Sequence, residues 1–147
     1  MYGTYPPQGY GAGYPYAPPY GYYPPIQPDP PGTGNATAAM IFWVLLLLRH
    51  IFTLIAILLV GTFFGIFSPT LGLSLAALAV LPLIGMIGCV LAIISDSQKK
   101  NHNLGTIGAV MALVGCFPGL LTFGVIGLSL GVIGLILHFL AKPAFTK

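Results

Sequence analysis

The sequence predicts an all-α, polytopic membrane protein, with four transmembrane helices packed as a bundle behind a largely irregular amino-terminal tail. Three observations predict it. The 147-residue chain is 56% hydrophobic and 5% charged, whereas a soluble domain is roughly a quarter charged. Its apolar residues are gathered into runs, most of them near the roughly 20 residues a membrane helix needs. Small residues recur along those runs at helical spacing, as they do where helices pack in lipid.

Five basic and two acidic side chains cannot coat a water-facing surface. Between Ala36 and Leu140 the only charges are Arg49, Asp96, Lys99 and Lys100. Lys99, Lys100, Lys142 and Lys147 lie at the edges of apolar runs, the usual place of juxtamembrane lysines. The net charge of +3 therefore reads as orientation chemistry and not as a nucleic-acid patch. Cys89 and Cys116 lie in separate apolar runs without metal-ligand spacing and read as free, packed thiols. No charged n-region or apolar h-region precedes residue 36, which argues against a cleavable signal peptide.

Residues 1–35 form a Tyr/Pro/Gly-rich tail that holds all eight tyrosines and ten of the fourteen prolines. It has neither a helical nor a strand period and too little apolar surface to offset its ordering entropy, so a flexible, partly polyproline-II chain is expected. Tyr10, Tyr14, Tyr16, Tyr20, Tyr22 and Tyr23 are candidates for docking on a partner, and PxxP spacings occur at Pro15/Pro18 and Pro25/Pro28. The Asn35-Ala36-Thr37 sequon abuts the membrane on the side assigned to the cytoplasm and is read as accidental.

The membrane domain, residues 36–141, divides at Ser68-Pro69-Thr70, at Ser95–Asn103 and at Phe117-Pro118-Gly119. The runs are 38–67, 71–94, 104–117 and 120–141, followed by a short carboxyl-terminal segment, 142–147. Residues 104–141 are too many for one straight crossing, so two crossings joined by a tight turn are expected in place of one kinked helix. Four spans put both termini and the Ser95–Asn103 stretch on one side, together with all four lysines. The positive-inside rule makes that side cytoplasmic, in a multi-pass protein of the cell membrane.

The first run is interrupted midway by Arg49-His50. A charge at the bilayer centre is costly, so Ile51–Phe67 is expected to do most of the spanning while Arg49 snorkels to the cytoplasmic interface. Ala36–Leu48, including Trp43, then becomes an apolar extension that needs cover. Trp43 is accordingly a further docking candidate, and Arg49 and Asp96 are a possible ion pair near one boundary.

Small residues repeat at i, i+3, i+7 and i+10 in three runs. The sets are Gly85, Gly88, Ala92 and Ser95; Gly105, Gly108, Ala112 and Gly115; and Gly124, Gly127, Gly131 and Gly134. The spacing averages about 3.5 residues, so each set makes one seam along one helix face, and Gly61 and Gly65 supply a shorter one. Glycine costs about 1 kcal/mol against alanine inside a helix, and close backbone approach is the compensating reason. The second, third and fourth helices are expected to meet along these seams. A pore lining or a flat cofactor bed would also use missing side chains, but nothing polar accompanies them; Thr106, Thr122 and Ser129 are expected to bond back to helix carbonyls.

Catalysis needs positioned acids, bases, nucleophiles or metals. The chain has two carboxylates and three histidines, with no phosphate-cradling loop or zinc spacing, so no catalytic residue, metal or cofactor is assigned and an enzyme is not expected. The Tyr5-Pro6-Pro7-Gln8-Gly9-Tyr10 tail, with Lys99-Lys100 leading into Leu104-Gly105-Thr106-Ile107-Gly108, resembles a group of small bacterial and archaeal membrane proteins with tails of this kind. The resemblance covers the tail and about half of the membrane region and implies an architecture but no activity. The run from Ala36 to Phe67 departs from the simplest two-span members. The expected role is a non-catalytic accessory, assembly or scaffolding subunit of a larger membrane complex, reached through the tail and residues 36–48, with the bilayer as the other partner. The alternatives are a homo-oligomeric channel or transporter component and a cofactor-binding subunit of an electron-transfer or light-harvesting assembly.

Overall fold

The computed structural model describes residues 28–119 and 124–145, and every regular element among them is helical. The docking tyrosines of the tail lie outside the described residues. The elements are α1 (Thr33–Phe67), α2 (Pro69–Ala77), α3 (Val80–Gln98), α4 (His102–Val114) and α5 (Gly124–Leu140), with 3₁₀ turns at Phe117–Gly119 and Lys142–Ala144. Two stretches, α1 and the nearly continuous α2–α3 pair, are long and apolar enough to cross a membrane; α4 and α5 are shorter apolar helices.

Local chemistry sets the boundaries. Gly32 takes a left-handed conformation at φ 88° to start α1, and a Cβ there would approach the Ala141 carbonyl oxygen to 3.1 Å. Ser68 ends α1, and its hydroxyl accepts from the Leu71 N–H of α2, with Pro69 in the first turn where its missing donor is not needed. The run expected at 71–94 is broken by a turn at Leu78–Ala79 and extends to Gln98, and α4 begins at His102, so only residues 99–101 of the expected polar loop lie outside helix. Lys99 and Asn101 then reverse the chain at φ 51° and 52°. The Ser95 hydroxyl, shared between the Lys100 and Asn101 carbonyls at 3.1 Å each, ties down that turn.

The molecule has two storeys along α1. In the lower one the first half of α1 packs with α3, α4 and α5. The α1 start, the α3 end, the α4 start and the α5 end share one pole: the Asn35 amide reaches the Leu140 carbonyl at 3.5 Å, and His102 lies against His138. Lys99, Lys100 and Lys142 follow these ends directly. In the upper storey the second half of α1 pairs with α2, where a Cβ on Gly72 would come within 2.5 Å of the Gly65 Cα. The rest of this hairpin is bare: Phe52, Leu59, Ile66, Phe67, Leu71 and Leu73 are all exposed.

The segment expected to need outside cover is covered from within. Ala36, Ala39, Trp43, Leu46 and His50 are fully buried against the other three helices, while Ile41, Val44, Leu45 and Leu48 stay on the outside. The reason is the arrangement of the seams. Those of α3 and α4 meet backbone to backbone, so that a Cβ on Gly88 would lie 2.5 Å from both the Gly108 oxygen and the Ala112 nitrogen. The α5 seam does not join them, contrary to the expectation that all three would meet. It forms a trough for large α1 side chains: Gly127 lies under Arg49, Gly131 under Leu46 and Leu113, and Gly134 under Trp43.

Gly88→Ala should therefore destabilise the protein by about 1–3 kcal/mol, the cost of overpacking. Gly34→Ala, where an added Cβ meets nothing within 4 Å, should be neutral or stabilising by up to about 1 kcal/mol. Thermal unfolding in detergent, followed by Trp43 fluorescence, measures both.

Candidate functional site

The described polar side chains inside the bundle form two groups, one at each end of the lower storey. The group at the lysine pole is centred on Asp96, near the end of α3. Its Oδ2 accepts from the Trp43 indole N–H of α1 at 2.8 Å, and its Oδ1 accepts from Nδ1 of His138 on α5 at 2.6 Å. Trp43, Asp96 and His138 are all fully buried or nearly so. On its other edge, His138 Nε2 faces the His102 carbonyl at 3.1 Å and the Thr106 hydroxyl at 3.3 Å. That hydroxyl itself donates to the His102 carbonyl, which leaves its oxygen lone pair for the imidazole. Both ring nitrogens of His138 thus face oxygen partners.

His102, the first residue of α4, returns the contact: its Nε2 donates to the His138 carbonyl at 3.2 Å, near the end of α5. The two imidazoles stack with centroids 4.3 Å apart, and Phe145 packs edge-on to both. One carboxylate therefore joins α1, α3 and α5, and the stacked histidines bring in α4.

The second group lies where α4 ends. A helix of 13 residues is about 20 Å long, so α4 stops at mid-height of α1 and leaves its last carbonyls inside the fold. Two adjacent α1 residues meet this end: His50 Nε2 donates to the Ala112 carbonyl of α4 at 3.1 Å, and Arg49 Nη2 donates to the carbonyl of Cys116, just beyond the helix, at 3.3 Å. A cation at a helix carboxyl terminus also complements the helix dipole. Arg49 Nε and Nη1 and His50 Nδ1 are buried with no hydrogen-bond partner among the described residues. Beside Arg49 a groove of about 800 Å³ opens between α1, α2 and the Pro118 turn.

These positions correct three sequence readings. Arg49 and Asp96 do not pair: the carboxylate is taken by His138 and Trp43, and Arg49 sits six residues further along α1 than Trp43, about 9 Å at helical rise. Arg49 does not snorkel to the lysine pole but caps α4. Trp43 is 0% exposed, so it is a core residue and not a docking one. The seam residues of α3, α4 and α5 are all buried, and so is Gly61, whereas Gly65 is partly exposed. Cys89 and Cys116 are free and buried. Thr106 and Ser129 bond back to helix carbonyls four residues earlier; Thr122 lies outside the described residues. Among the described residues no three His, Cys, Asp or Glu side chains gather as a metal site would require.

The Asp96–His138 pair was missed, although a signal for it exists: Asp96 stands at the start of the polar stretch that ends its apolar run, and His138 is an isolated polar residue near the same end of its own. Removing one partner of a buried pair costs about 3–5 kcal/mol because the other is left uncompensated. Asp96→Asn and His138→Gln should each lower stability by that order. The double variant should lose much less than their sum, since contacting residues couple; equilibrium unfolding of the four proteins measures it, and additive losses would refute the pairing.

Comparison with known protein families, with curated proteins and with solved structures finds no match to this chain.

Proposed function

We propose that the chain is a multi-pass membrane protein that serves as a non-catalytic accessory or assembly subunit of a larger membrane complex. One observation carries this reading: the apolar exterior is taller than a bilayer. With 35 residues, α1 is about 52 Å long, against a hydrocarbon core of about 30 Å. Neither storey is suited to water. The lower one exposes Ile107, Ile136 and Phe139, and the tip of the upper one exposes Ile66 at 76%, Phe67 at 73% and Leu73 at 75%. The usual helix tilt of about 20° shortens α1 by only a few ångströms. About 20 Å of apolar hairpin is then left for protein to cover, and a partner subunit is the economical cover.

In this reading α1 and the α2–α3 pair are full crossings, since both are long and apolar enough, and the shorter α4 and α5 are the remaining two of four spans. The geometry also supports the orientation, because Lys99, Lys100 and Lys142 lie at the pole where α1 begins and the opposite tip, Ser68–Thr70, carries no charge. The lysine pole is cytoplasmic in this reading, and the Tyr/Pro/Gly-rich tail that precedes α1 is a second docking element on that side.

Two experiments test it. Ser97→Cys and Thr70→Cys, both at exposed positions, should behave oppositely toward a membrane-impermeant maleimide. In the Ile66→Ser, Phe67→Ser, Leu73→Ser background, which frees the tip of any partner, Thr70→Cys should react in intact cells and Ser97→Cys only after permeabilisation; the reverse pattern would overturn the orientation. Mild-detergent purification should recover unrelated subunits in fixed ratio with the wild-type chain. They should be lost on combining Ile66→Ser, Phe67→Ser and Leu73→Ser, while the lower storey stays folded by its Trp43 signal. A particle made only of copies of this chain would sink the accessory reading and favour a homo-oligomeric one.

A further inference from the structure

We propose that the stacked pair His102–His138 is an acid-sensitive latch, which holds the start of α4 against the end of α5 and the final turn and is opened by a second positive charge on the pair. The inference does not need the accessory role. The membrane orientation enters only in naming the side, the cytoplasm, whose acidity would act on the latch.

Reciprocal contacts build it. His102 Nε2 donates to the His138 carbonyl at 3.2 Å, and His138 Nε2 lies 3.1 Å from the His102 carbonyl. The rings are nearly parallel, 18° apart with centroids at 4.3 Å, and Phe145 closes edge-on over both. His138 is fully buried, whereas His102 keeps part of its surface exposed beside the turn at 99–101. A proton from solvent therefore enters the pair at His102.

Face-to-face imidazoles tolerate one positive charge and not two, because like charges a few ångströms apart repel strongly where water is scarce. The surroundings do not compensate a second one. From α3, the Asp96 carboxylate is engaged by His138 of α5 and by Trp43 of α1, whose indole is neutral. From the final turn, Lys142 adds a positive charge close enough to act on His102. The turn that precedes α4 carries Lys99 and Lys100. From α4 itself come the neutral Thr106 and the positive end of the helix dipole, where His102 is the first residue. The His138 carbonyl accepts the same Nε2–H whether His102 is neutral or charged. A His102 ring released into water escapes the stacked neighbour, so the released state takes the extra proton more readily. By linkage the latch is populated at high pH and lost as the pH falls.

What opens is local. The Ala141 and Ala144 amides bond to the Leu137 and Ala141 carbonyls at 2.9 and 2.8 Å, under the Phe145 ring that the histidines hold. Asp96 keeps both Trp43 and His138, so the α3–α4 seam stays closed.

The test is amide hydrogen exchange of the full chain in lipid nanodiscs, read as protection relative to the intrinsic rate from about pH 8 to about pH 5, the interval in which histidine titrates. Protection of Ala141 and Ala144 should fall about tenfold or more as the pH drops, while that of Gly88 and Ala112 in the seam stays constant. His102→Gln keeps a donor for the His138 carbonyl but cannot be charged, and it should remove the dependence on pH. His102→Ala removes the ring and should leave Ala141 and Ala144 poorly protected at every pH. Gly88 protection reports that each variant is folded. Wild-type protection indifferent to pH, a pH dependence that survives either substitution, or a parallel loss at Gly88 would each overturn the proposal. The accessory reading is tested by subunit recovery, so the two fail independently.

Discussion

The buried carboxylate of Asp96 is the contact on which the lower storey depends. Glycine seams let α3 and α4 approach to backbone contact, yet dispersion between smooth helices fixes neither rotation nor register. The Trp43–Asp96–His138 contacts fix both. The indole of α1 reaches the carboxylate only if Gly134 of α5 leaves room under the ring, and His138 reaches it only if α5 runs antiparallel to α1. His102 and Thr106 then set the height of α4. Inside a low-dielectric bundle these bonds are strong when complete and expensive when broken, so a single polar cluster selects one arrangement from many that would bury the same apolar area.

The other end of the lower storey follows from the shortness of α4. A helix that stops inside an apolar structure leaves carbonyls without partners; His50 meets one of them, at Ala112, and Arg49 meets the Cys116 carbonyl just beyond the helix. Glycines at 85, 115 and 127 make the space: a Cβ on Gly85 or Gly115 would strike the His50 ring, and one on Gly127 would strike the Arg49 guanidinium. An arginine in the middle of an apolar helix is thus the consequence of a neighbour ending beside it. Its remaining donors are enclosed with no acceptor among the described residues, which distinguishes this end of the bundle from the hydrogen-bonded cluster at Asp96.

Much of the fold was legible because hydropathy and small-residue spacing are local properties. The breaks at Pro69 and Pro118 and the seam faces of α3 and α4 follow from such patterns. The α2–α3 turn at Leu78–Ala79 has its sequence signal in Pro82, which lacks the N–H that would bond the Leu78 carbonyl and whose ring crowds it, although neither turn residue is itself a turn former. The partners of the polar residues were legible only in part. Arg49 and Asp96 were placed together by assuming that a charge must sit at a membrane boundary, whereas counting helical rise from the start of α1 puts Arg49 well inside. The α5 seam looks like those of α3 and α4 in sequence. Its different use, as a trough for Trp43, Leu46 and Arg49, depends on which helix it faces, and spacing within one helix does not encode that.

The most direct test of this account uses the fact that the chain has a single tryptophan. In lipid nanodiscs the ¹⁵N-labelled protein gives one indole N–H resonance, which belongs to Trp43. If Asp96 organises the bundle, that proton exchanges with solvent only on global unfolding, and its chemical shift moves on Asp96→Asn. An indole proton that exchanges at the rate of a solvent-exposed tryptophan, with a shift indifferent to Asp96→Asn, would contradict the account.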